Sequence, residues 1–237
     1  MKTRLFEIFT SIEGEGILYG TKTLFIRFAG CPFSCFYCDT PDALPSDSGK
    51  EYSISEACNL IDKNLQNNTY KVNFTGGEPL VQHESVNELA KYIKSKGILT
   101  YLESSCFDSK KFSYVLPSID LVKIEFKTKD SEMVDTKHYT DLIKNTLECL
   151  DASIKMKKIT YIKIVVSSKT ELDNLKTLSE QIFKIASRET ISGFIIQPTY
   201  GVSEPSLEKL LEFYDLVYPY YRDVRVIPQL QKIIDVP

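Results

Sequence analysis

Short apolar segments and longer amphipathic segments alternate along this chain. Apolar segments typical of strands lie at residues 6–9, 23–28, 72–74, 99–102, 121–124, 161–166, 194–196 and 224–226. Segments with a helical period lie between them, beginning after Ser53 or Ser55 and ending near residue 65, and then near 84–94, 137–150, 170–186 and 206–217.

This alternation predicts a parallel sheet whose strands are joined by right-handed helical crossovers. We expect an α/β fold, an open and partial β/α barrel of about six parallel strands with helices outside. Ligands of such folds bind beyond the carboxyl ends of the strands. Residues that follow the predicted strands are therefore site candidates, namely Thr75, Glu103, Lys127, Ser167 and Gln197.

Composition limits the classes of function without indicating one. The 237 residues are enough for one domain, 1–237, with a full core. Hydrophobic residues make up 43%, charged residues 26%, and the net charge is −3, so nothing favours a nucleic-acid partner. No apolar segment has membrane-spanning length and the first residues lack a signal-peptide core, so we expect a cytoplasmic protein without a membrane partner.

Three cysteines lie close together in the loop 31–38. Three residues separate Cys31 from Cys35, and two separate Cys35 from Cys38. Three thiolates on one loop can hold three irons of a 4Fe–4S cluster, and no fourth ligand follows. An iron without a protein ligand is a Lewis acid, which favours chemistry over electron storage. A disulfide, buried thiols or a zinc knuckle are the alternatives, but structural zinc needs a fourth ligand, and His83 and His138 lie far along the chain.

A glycine pair follows one of the predicted strands, in the segment Thr75-Gly76-Gly77-Glu78-Pro79. Because glycine has no side chain, a ligand can approach this backbone closely. Taken alone, the segment could equally be an ordinary strand-to-helix turn.

The cysteine loop, with Tyr37 before its last cysteine, resembles the signature of the radical S-adenosylmethionine enzymes. Within that superfamily, residues 12–16, 27–31, 38–40, 75–79 and 236–237 together resemble the 7-carboxy-7-deazaguanine synthase family. The resemblance implies a 4Fe–4S cluster that cleaves S-adenosylmethionine to a 5′-deoxyadenosyl radical. It also implies a pterin substrate, 6-carboxy-5,6,7,8-tetrahydropterin, which loses ammonia to give 7-carboxy-7-deazaguanine.

The resemblance further implies a role for each matching residue. Cys31, Cys35 and Cys38 would hold the cluster, and Thr40 would supply an oxygen to Mg²⁺. The residues implied to bind S-adenosylmethionine are Tyr37, Asp39, Gly76, Gly77, Glu78, Glu103, Ser105, Phe126, Lys127, Gln197, Pro198 and Tyr200. The residues implied to bind the pterin are Ile12, Glu13, Gly14, Glu15, Arg27, Thr75, Gln231 and Pro237.

The chemistry of the substrate explains the choice of residues. The Glu15 carboxylate can accept hydrogen bonds from the pyrimidine edge, and the planar Arg27 fork suits the substrate carboxylate. The tail 227–237 is expected to close the site, with the carboxylate of Pro237 facing the substrate. No side chain is expected to act as acid or base, because the cofactor radical and positioning suffice.

Several positions depart from the family pattern, Ser105 among them, where the family usually has Asn. Glu13 stands where the family commonly has Gln, Glu125 where it tends to have Ser, and Gln231 where it usually has His. Gln231 can bind the substrate but cannot titrate near neutrality. Cys106 replaces a glycine, so we expect the turn after Glu103 to be rebuilt.

Partners follow from the resemblance alone. They are an electron donor such as flavodoxin or ferredoxin, and a second copy in a homodimer, without contact to RNA. The product would enter 7-deazapurine synthesis, including queuosine-type tRNA nucleosides. Two other classes share the cysteine loop: a glycyl-radical activase and a non-catalytic iron–sulfur protein. An assay for 5′-deoxyadenosine with and without the pterin separates all three.

Overall fold

The computed structural model describes residues 1–131, 136–234 and 236, with the backbone alone at 136 and 137. Within these residues nine strands form one sheet in the order β3-β1-β2-β4-β5-β6-β7-β8-β9. The strands are β1 Lys2–Ile12, β2 Lys22–Phe28, β3 Lys50–Ser53, β4 Lys71–Gly76, β5 Leu99–Ser104, β6 Leu121–Phe126, β7 Ile159–Val166, β8 Gly193–Pro198 and β9 Val224–Val226.

The sheet is open and largely parallel, which confirms the predicted α/β class. Strand β2 and strands β4 to β9 run parallel to one another. Strands β1 and β3 are antiparallel and form one edge, while β9 forms the other. The parallel strands number seven rather than about six, and β3 was not predicted.

The helices are α1 Ile54–Asn64, α2 His83–Ser95, α3 Ser109–Val115, α4 Thr136–Lys155, α5 Leu172–Ile182, α6 Leu207–Val217 and α7 Leu230–Ile233. Ser53 caps α1 through a capping box, because its hydroxyl accepts from the Glu56 amide while the Glu56 carboxylate accepts from the Ser53 amide. The predicted helices are confirmed. Helix α3, which is short and capped by Asp108, was not predicted.

The two faces of the sheet have different compositions because side chains alternate along each strand. One face packs against the helices through fully buried residues such as Phe74, Ile124 and Ile164. The other face carries polar and charged side chains above a small apolar cluster that includes Tyr101 and Tyr161. We call the face that carries these polar side chains the inner face. The turn Gly16–Leu18 packs on the apolar cluster, so side chains fill the inner face at one end and leave a hollow at the other.

No helix in the described part of the chain is both long enough and apolar enough to cross a membrane.

Candidate active site

A cavity of about 500 Å³ lies over the inner face at the carboxyl ends of the parallel strands. This volume is in the range of small-molecule sites. The predicted site residues that line it are Ile12, Glu13, Gly14, Glu15, Arg27, Cys31, Cys35, Tyr37, Cys38, Asp39, Thr40, Thr75, Gly76, Gly77, Glu78, Glu103, Ser105, Lys127, Gln197, Pro198, Tyr200 and Gln231.

Three predicted site residues are not placed in this cavity. Ser167 is buried, and its hydroxyl donates to the Asp130 carboxylate at 2.7 Å. Phe126 is fully buried in the core between sheet and helices, because its neighbours Glu125 and Lys127 take the inner face. The Phe126 side chain therefore does not line the cavity, and its role in binding the cofactor stays a prediction. Pro237 lies outside the described residues.

Backbone hydrogen bonds hold the cysteine loop at the rim of the cavity. The Cys31 amide donates to the Leu44 carbonyl at 3.0 Å, and the Cys38 amide donates to the Cys35 carbonyl at 3.0 Å. All three cysteines are free and partly exposed. Burial raises the pKa of the Cys31 thiol to about 12, so the thiolate forms readily only when a cation is bound.

The donor set of this loop fits a 4Fe–4S cluster. In the described part of the chain, no three His, Cys, Asp or Glu side chains are placed to hold one metal ion as they stand. A cluster makes no such demand, because each thiolate binds a different iron. The described lining contains no histidine and no fourth cysteine, which leaves one iron of such a cluster without a protein ligand.

The glycine pair brings a turn against the cysteine loop. The Gly77 amide donates to the Phe28 carbonyl at 3.0 Å, and the Glu78 amide donates to the Gly30 carbonyl at 2.9 Å. A Cβ on Gly77 would lie 2.5 Å from the Gly30 oxygen, and one on Gly76 would lie 2.3 Å from the Phe28 oxygen. Glycine is therefore required at both positions. An ammonium group only donates hydrogen bonds, so a bound one would have to meet carbonyl oxygens of the turn.

Glu78 joins the glycine turn to the loop after β5. Its buried carboxylate accepts from the Ser104 hydroxyl at 2.8 Å and from the Leu80 amide at 3.0 Å. It also accepts from the Ser105 amide and hydroxyl, at 2.8 and 2.6 Å. Both oxygens are thus engaged, so Glu78 positions Ser105 at the cavity wall.

The turn at Cys106 keeps a conformation that favours glycine. Its φ is +57°, in the left-handed region, and its amide donates to the Ser104 hydroxyl at 2.8 Å. The side chain is fully buried. The expected rebuilding of this turn is therefore not seen in the backbone of Cys106.

Glu15 is the centre of a hydrogen-bond cluster on the cavity floor. Its carboxylate accepts from Lys163 at 2.6 Å and from Gln229 at 2.9 Å. Gln197 and Gln231 each donate to it at 3.2 Å. Burial acts to raise the pKa of Glu15, but the charges of Lys163 and Lys123 outweigh burial and lower it to about 2. Glu15 is therefore ionised near neutrality and suited to accept N–H donors from a ligand.

Three lysines surround Glu125 on the inner face. Lys123 and Lys163 lie 3.2 Å from its carboxylate, and Lys127 forms an ion pair with it. The Lys127 ammonium also lies 5.2 Å from the centre of the Tyr37 ring, beside the cysteine loop. We call Glu15, Lys163, Glu125 and Lys127 the charge ladder, because it links the floor to that loop.

Lys123 and Lys163 were missed by the sequence analysis. The alternation Lys123-Ile124-Glu125-Phe126-Lys127 was the available signal, since it puts three charges on one face of a strand. The partner Glu15 could not be found in this way, because it lies 148 residues from Lys163.

Glu13 also has a lysine partner that was not predicted. Lys71 is buried, lies 2.5 Å from the Glu13 carboxylate and donates to the Thr23 hydroxyl at 2.6 Å. The Asn73 amide donates to the same Glu13 carboxylate at 3.3 Å. Burial, aided by the charge of Glu103, raises the pKa of Glu13 to about 7 despite this lysine.

Arg27 lies on the cavity wall with a carboxylate partner. Its Nε donates to Glu7 at 2.7 Å, and its guanidinium carbon lies 5.8 Å from the centre of the Phe9 ring. Near the rim, the half-buried Thr40 donates its hydroxyl to Asp39 at 3.3 Å.

Comparison with known proteins agrees with this geometry. Residues 12–147 match the sequence family described as a 4Fe-4S single cluster domain. The 7-carboxy-7-deazaguanine synthase of Methanocaldococcus jannaschii is 30% identical, over 96% of this chain and 98% of that protein. The synthase of Archaeoglobus fulgidus is also 30% identical, over the full length of both chains. The chain belongs to the 7-carboxy-7-deazaguanine synthase family.

The 7-carboxy-7-deazaguanine synthase family consists of radical S-adenosylmethionine lyases of deazapurine biosynthesis. The predictions of the family, of this reaction class, of a 4Fe–4S cluster and of S-adenosylmethionine are thereby confirmed. The crystal structure of QueE from Escherichia coli has the same fold, with a TM-score of 0.64 at 17% identity, over 97% of this chain and 95% of that chain.

Proposed function

We propose that this member of the family converts 6-carboxy-5,6,7,8-tetrahydropterin to 7-carboxy-7-deazaguanine and ammonia in the cavity described above. One observation carries the proposal. An ionised Glu15 surrounded by amide groups forms the floor of the same cavity whose rim bears three cysteines. A ligand with several N–H donors and the radical-generating cofactor can therefore meet inside one enclosure.

The residues at the rim would hold the cofactors. A bound 4Fe–4S cluster, held by Cys31, Cys35 and Cys38, supplies the electron that cleaves S-adenosylmethionine to a radical. The glycine turn lies against this loop and offers backbone carbonyls to an amino group. Lys127, Gln197 and the other predicted cofactor residues that line the cavity form the rest of this subsite.

The residues at the floor would hold the pterin. Glu15 accepts from the pyrimidine edge, and the amide oxygens of Gln197 and Gln231, which are buried without a hydrogen-bond partner, offer further acceptors beside it. Arg27 faces the cavity and would pair with the substrate carboxylate in place of Glu7. These groups orient the substrate and exclude water, and none of them needs to transfer a proton.

Magnesium is part of the proposal as well. Mg²⁺ prefers oxygen ligands and commonly retains some from small molecules. The Thr40 hydroxyl faces the cavity beside the Asp39 carboxylate, so this pair can offer oxygen to a cation that also contacts the substrate. Such a cation would moderate the substrate's charge and fix its orientation.

The remaining expectations concern the cellular setting. We propose a cytoplasmic homodimer that receives electrons from flavodoxin or ferredoxin and supplies 7-deazapurine synthesis for tRNA modification. All six cysteines are free, as in proteins of reducing compartments. Sedimentation velocity of the purified protein tests the dimer, since a monomer at micromolar concentration would contradict it.

One experiment tests the activity. Anaerobically reconstituted protein is incubated with a reductant and S-adenosylmethionine, and 5′-deoxyadenosine and deazaguanine are quantified with and without the tetrahydropterin. We expect four irons and four sulfides per chain, and deazaguanine formation that requires the pterin. Zinc or bare thiols in place of the cluster would refute the proposal. Formation of 5′-deoxyadenosine independently of the pterin would favour an activase. The absence of 5′-deoxyadenosine would favour an electron carrier.

A further inference from the structure

Gln229 lies just before α7, and its side chain bridges two carboxylates that are distant in sequence. Its Nε2 donates to Glu15 at 2.9 Å and to Asp39 at 3.3 Å. A primary amide has two N–H groups, so one side chain can satisfy both acceptors at once. Gln229 lines the cavity but was not among the predicted site residues.

The two carboxylates belong to different parts of the site. Glu15 lies on the floor, in the loop after β1, whereas Asp39 directly follows the last cysteine of the rim loop. Two like charges that face the same small volume repel each other, and a donor placed between them offsets that repulsion. Gln229 therefore connects the floor to the cysteine loop through the C-terminal tail.

The tail itself is docked on both sides of Gln229. The Ile227 amide donates to the Ile196 carbonyl of β8 at 3.1 Å, and the Leu230 amide donates to the Gly14 carbonyl at 2.9 Å. A Cβ on Gly14 would lie 1.9 Å from the Gln231 side-chain oxygen, so a larger residue there would displace the Gln231 side chain. The tail thus covers the floor, and Gln229 is where it reaches the rim.

We propose that Gln229 is a positioning residue that holds the tail, the Glu15 floor and the cysteine loop in one closed arrangement around the pterin. The inference rests on the proposed function of the site. Gln229 acts through Glu15 and Asp39 and need not touch the reacting atoms. Its loss should weaken binding of the pterin and loosen the tail, while the core keeps its structure and the cofactor subsite loses only the contact of Gln229 to Asp39.

The test compares Gln229→Ala and Gln229→Glu in the reconstituted holoenzyme, with Gln66→Ala, on the exposed surface after α1, as the matched control. The readouts are the KM for the tetrahydropterin, the affinity for S-adenosylmethionine without pterin, and hydrogen exchange of the Leu230 amide. We expect Gln229→Ala to raise the KM about tenfold, as the loss of a hydrogen bond to a charged group does. Gln229→Glu should raise it further, because it adds a third carboxylate.

Exchange at Leu230 should accelerate in both variants, while exchange in β4 to β7 stays at the wild-type values. The affinity for S-adenosylmethionine should fall less than the affinity for the pterin, because the cofactor subsite loses only one contact to Asp39. An unchanged KM with unchanged Leu230 exchange would overturn the inference. So would accelerated exchange throughout those strands, which would mark a general structural role. Leu230 exchange needs no turnover, so it remains informative even if the wild-type protein fails to make deazaguanine and the proposed function itself is refuted.

Discussion

Glu13 and Glu15 are two residues apart, yet the fold drives their pKa values in opposite directions. Both are buried, which by itself raises a carboxyl pKa. Glu13 has one lysine, Lys71, and feels the negative charge of Glu103, so its pKa rises to about 7. Glu15 has Lys163 and Lys123 together with amide donors, so its pKa falls to about 2. The protonation of each is therefore set by its three-dimensional neighbours and not by residue type.

The raised pKa of Glu13 predicts a pH-dependent stability. Between its ordinary value of 4.5 and about 7, the folded state binds more protons at this group than the unfolded state does. Stability from this group is therefore greatest at low pH and is lost as pH rises through that window. The side chain introduced by Glu13→Gln cannot titrate. The free energy of unfolding of this variant, minus that of the wild type, should therefore increase by on the order of 2 kcal/mol between pH 5 and pH 8.

Urea unfolding of both proteins at the two pH values measures this difference. Glu189→Gln, an exposed control, should show no gain in the same interval. If the free energy of unfolding of Glu13→Gln instead falls relative to that of the wild type as pH rises, Lys71 keeps Glu13 ionised.

Thr40 gives a second prediction about a single residue. If its hydroxyl supplies an oxygen to Mg²⁺, Thr40→Ala should need roughly tenfold more Mg²⁺ for half-maximal turnover, whereas Thr40→Ser, which keeps the hydroxyl, should behave like the wild type. The measurement is turnover against free Mg²⁺ after chelation. Full turnover by Thr40→Ala at limiting Mg²⁺ would remove Thr40 from the proposed site.

At the scale of elements, the charge ladder depends on the register of neighbouring strands. Glu103 pairs in register with Lys123, and Glu125 with Lys163, across three parallel strands. Each acidic side chain thereby faces a lysine on the next strand, on the face that lines the cavity. Buried charges of this kind contribute little net stability when paired, but leaving one unpaired is costly.

This arrangement predicts a large effect of Lys163→Met. The side chain of Lys163 is 5% exposed and serves both Glu15 and Glu125. Its replacement should destabilise the fold by about 3 kcal/mol and should also raise the pKa of Glu15. Lys155→Met is the matched control, because that lysine pairs with Asp151 at the surface and is 73% exposed; this variant should cost less than about 1 kcal/mol.

Urea unfolding of the two variants provides the comparison. Equal stability of Lys163→Met and Lys155→Met would mean that Lys123 and Lys127 balance the buried carboxylates of the charge ladder without Lys163.

At the scale of the whole molecule, the C-terminal tail completes a cavity that the sheet leaves open. Lys232 and Val236 line that cavity, and the Val236 amide donates to the Gln231 carbonyl at 3.2 Å. Closing the cavity therefore depends on residues that come after the last strand. The rim is contributed by the first third of the chain, and the cover by described residues of the tail such as Gln231, Lys232 and Val236.

A tag added after Pro237 should therefore raise the KM for the tetrahydropterin about tenfold or more, because Val236 lines the cavity and the proposed role of Pro237 needs its free carboxylate at the substrate. The same tag before Met1, which is 57% exposed, is the matched control and should leave the KM unchanged. Steady-state kinetics on both proteins decides the matter. An unchanged KM for the C-terminal tag would remove Pro237 from the substrate site.

The chain by itself determined the features whose causes are local. The strand and helix periods indicated the open α/β sheet, the cysteine spacing and the glycine pair indicated the rim, and Ser53 or Ser55 indicated the start of α1. Each of these depends on residues within a few positions of one another, so a linear pattern contains it. The burial of the Phe126 side chain on the helix side follows in the same way from the alternation along β6.

Only the tertiary structure decided which charges meet. Lys71 reaches Glu13 across 58 residues, Lys163 reaches Glu15 across 148, and Gln229 joins Glu15 to Asp39 across 214 and 190. No period relates such positions, since their contact follows from the strand order and from the docking of the tail. The protonation states of the floor and the closure of the cavity are consequences of those contacts, because a buried charge is governed by whatever neighbours the fold supplies.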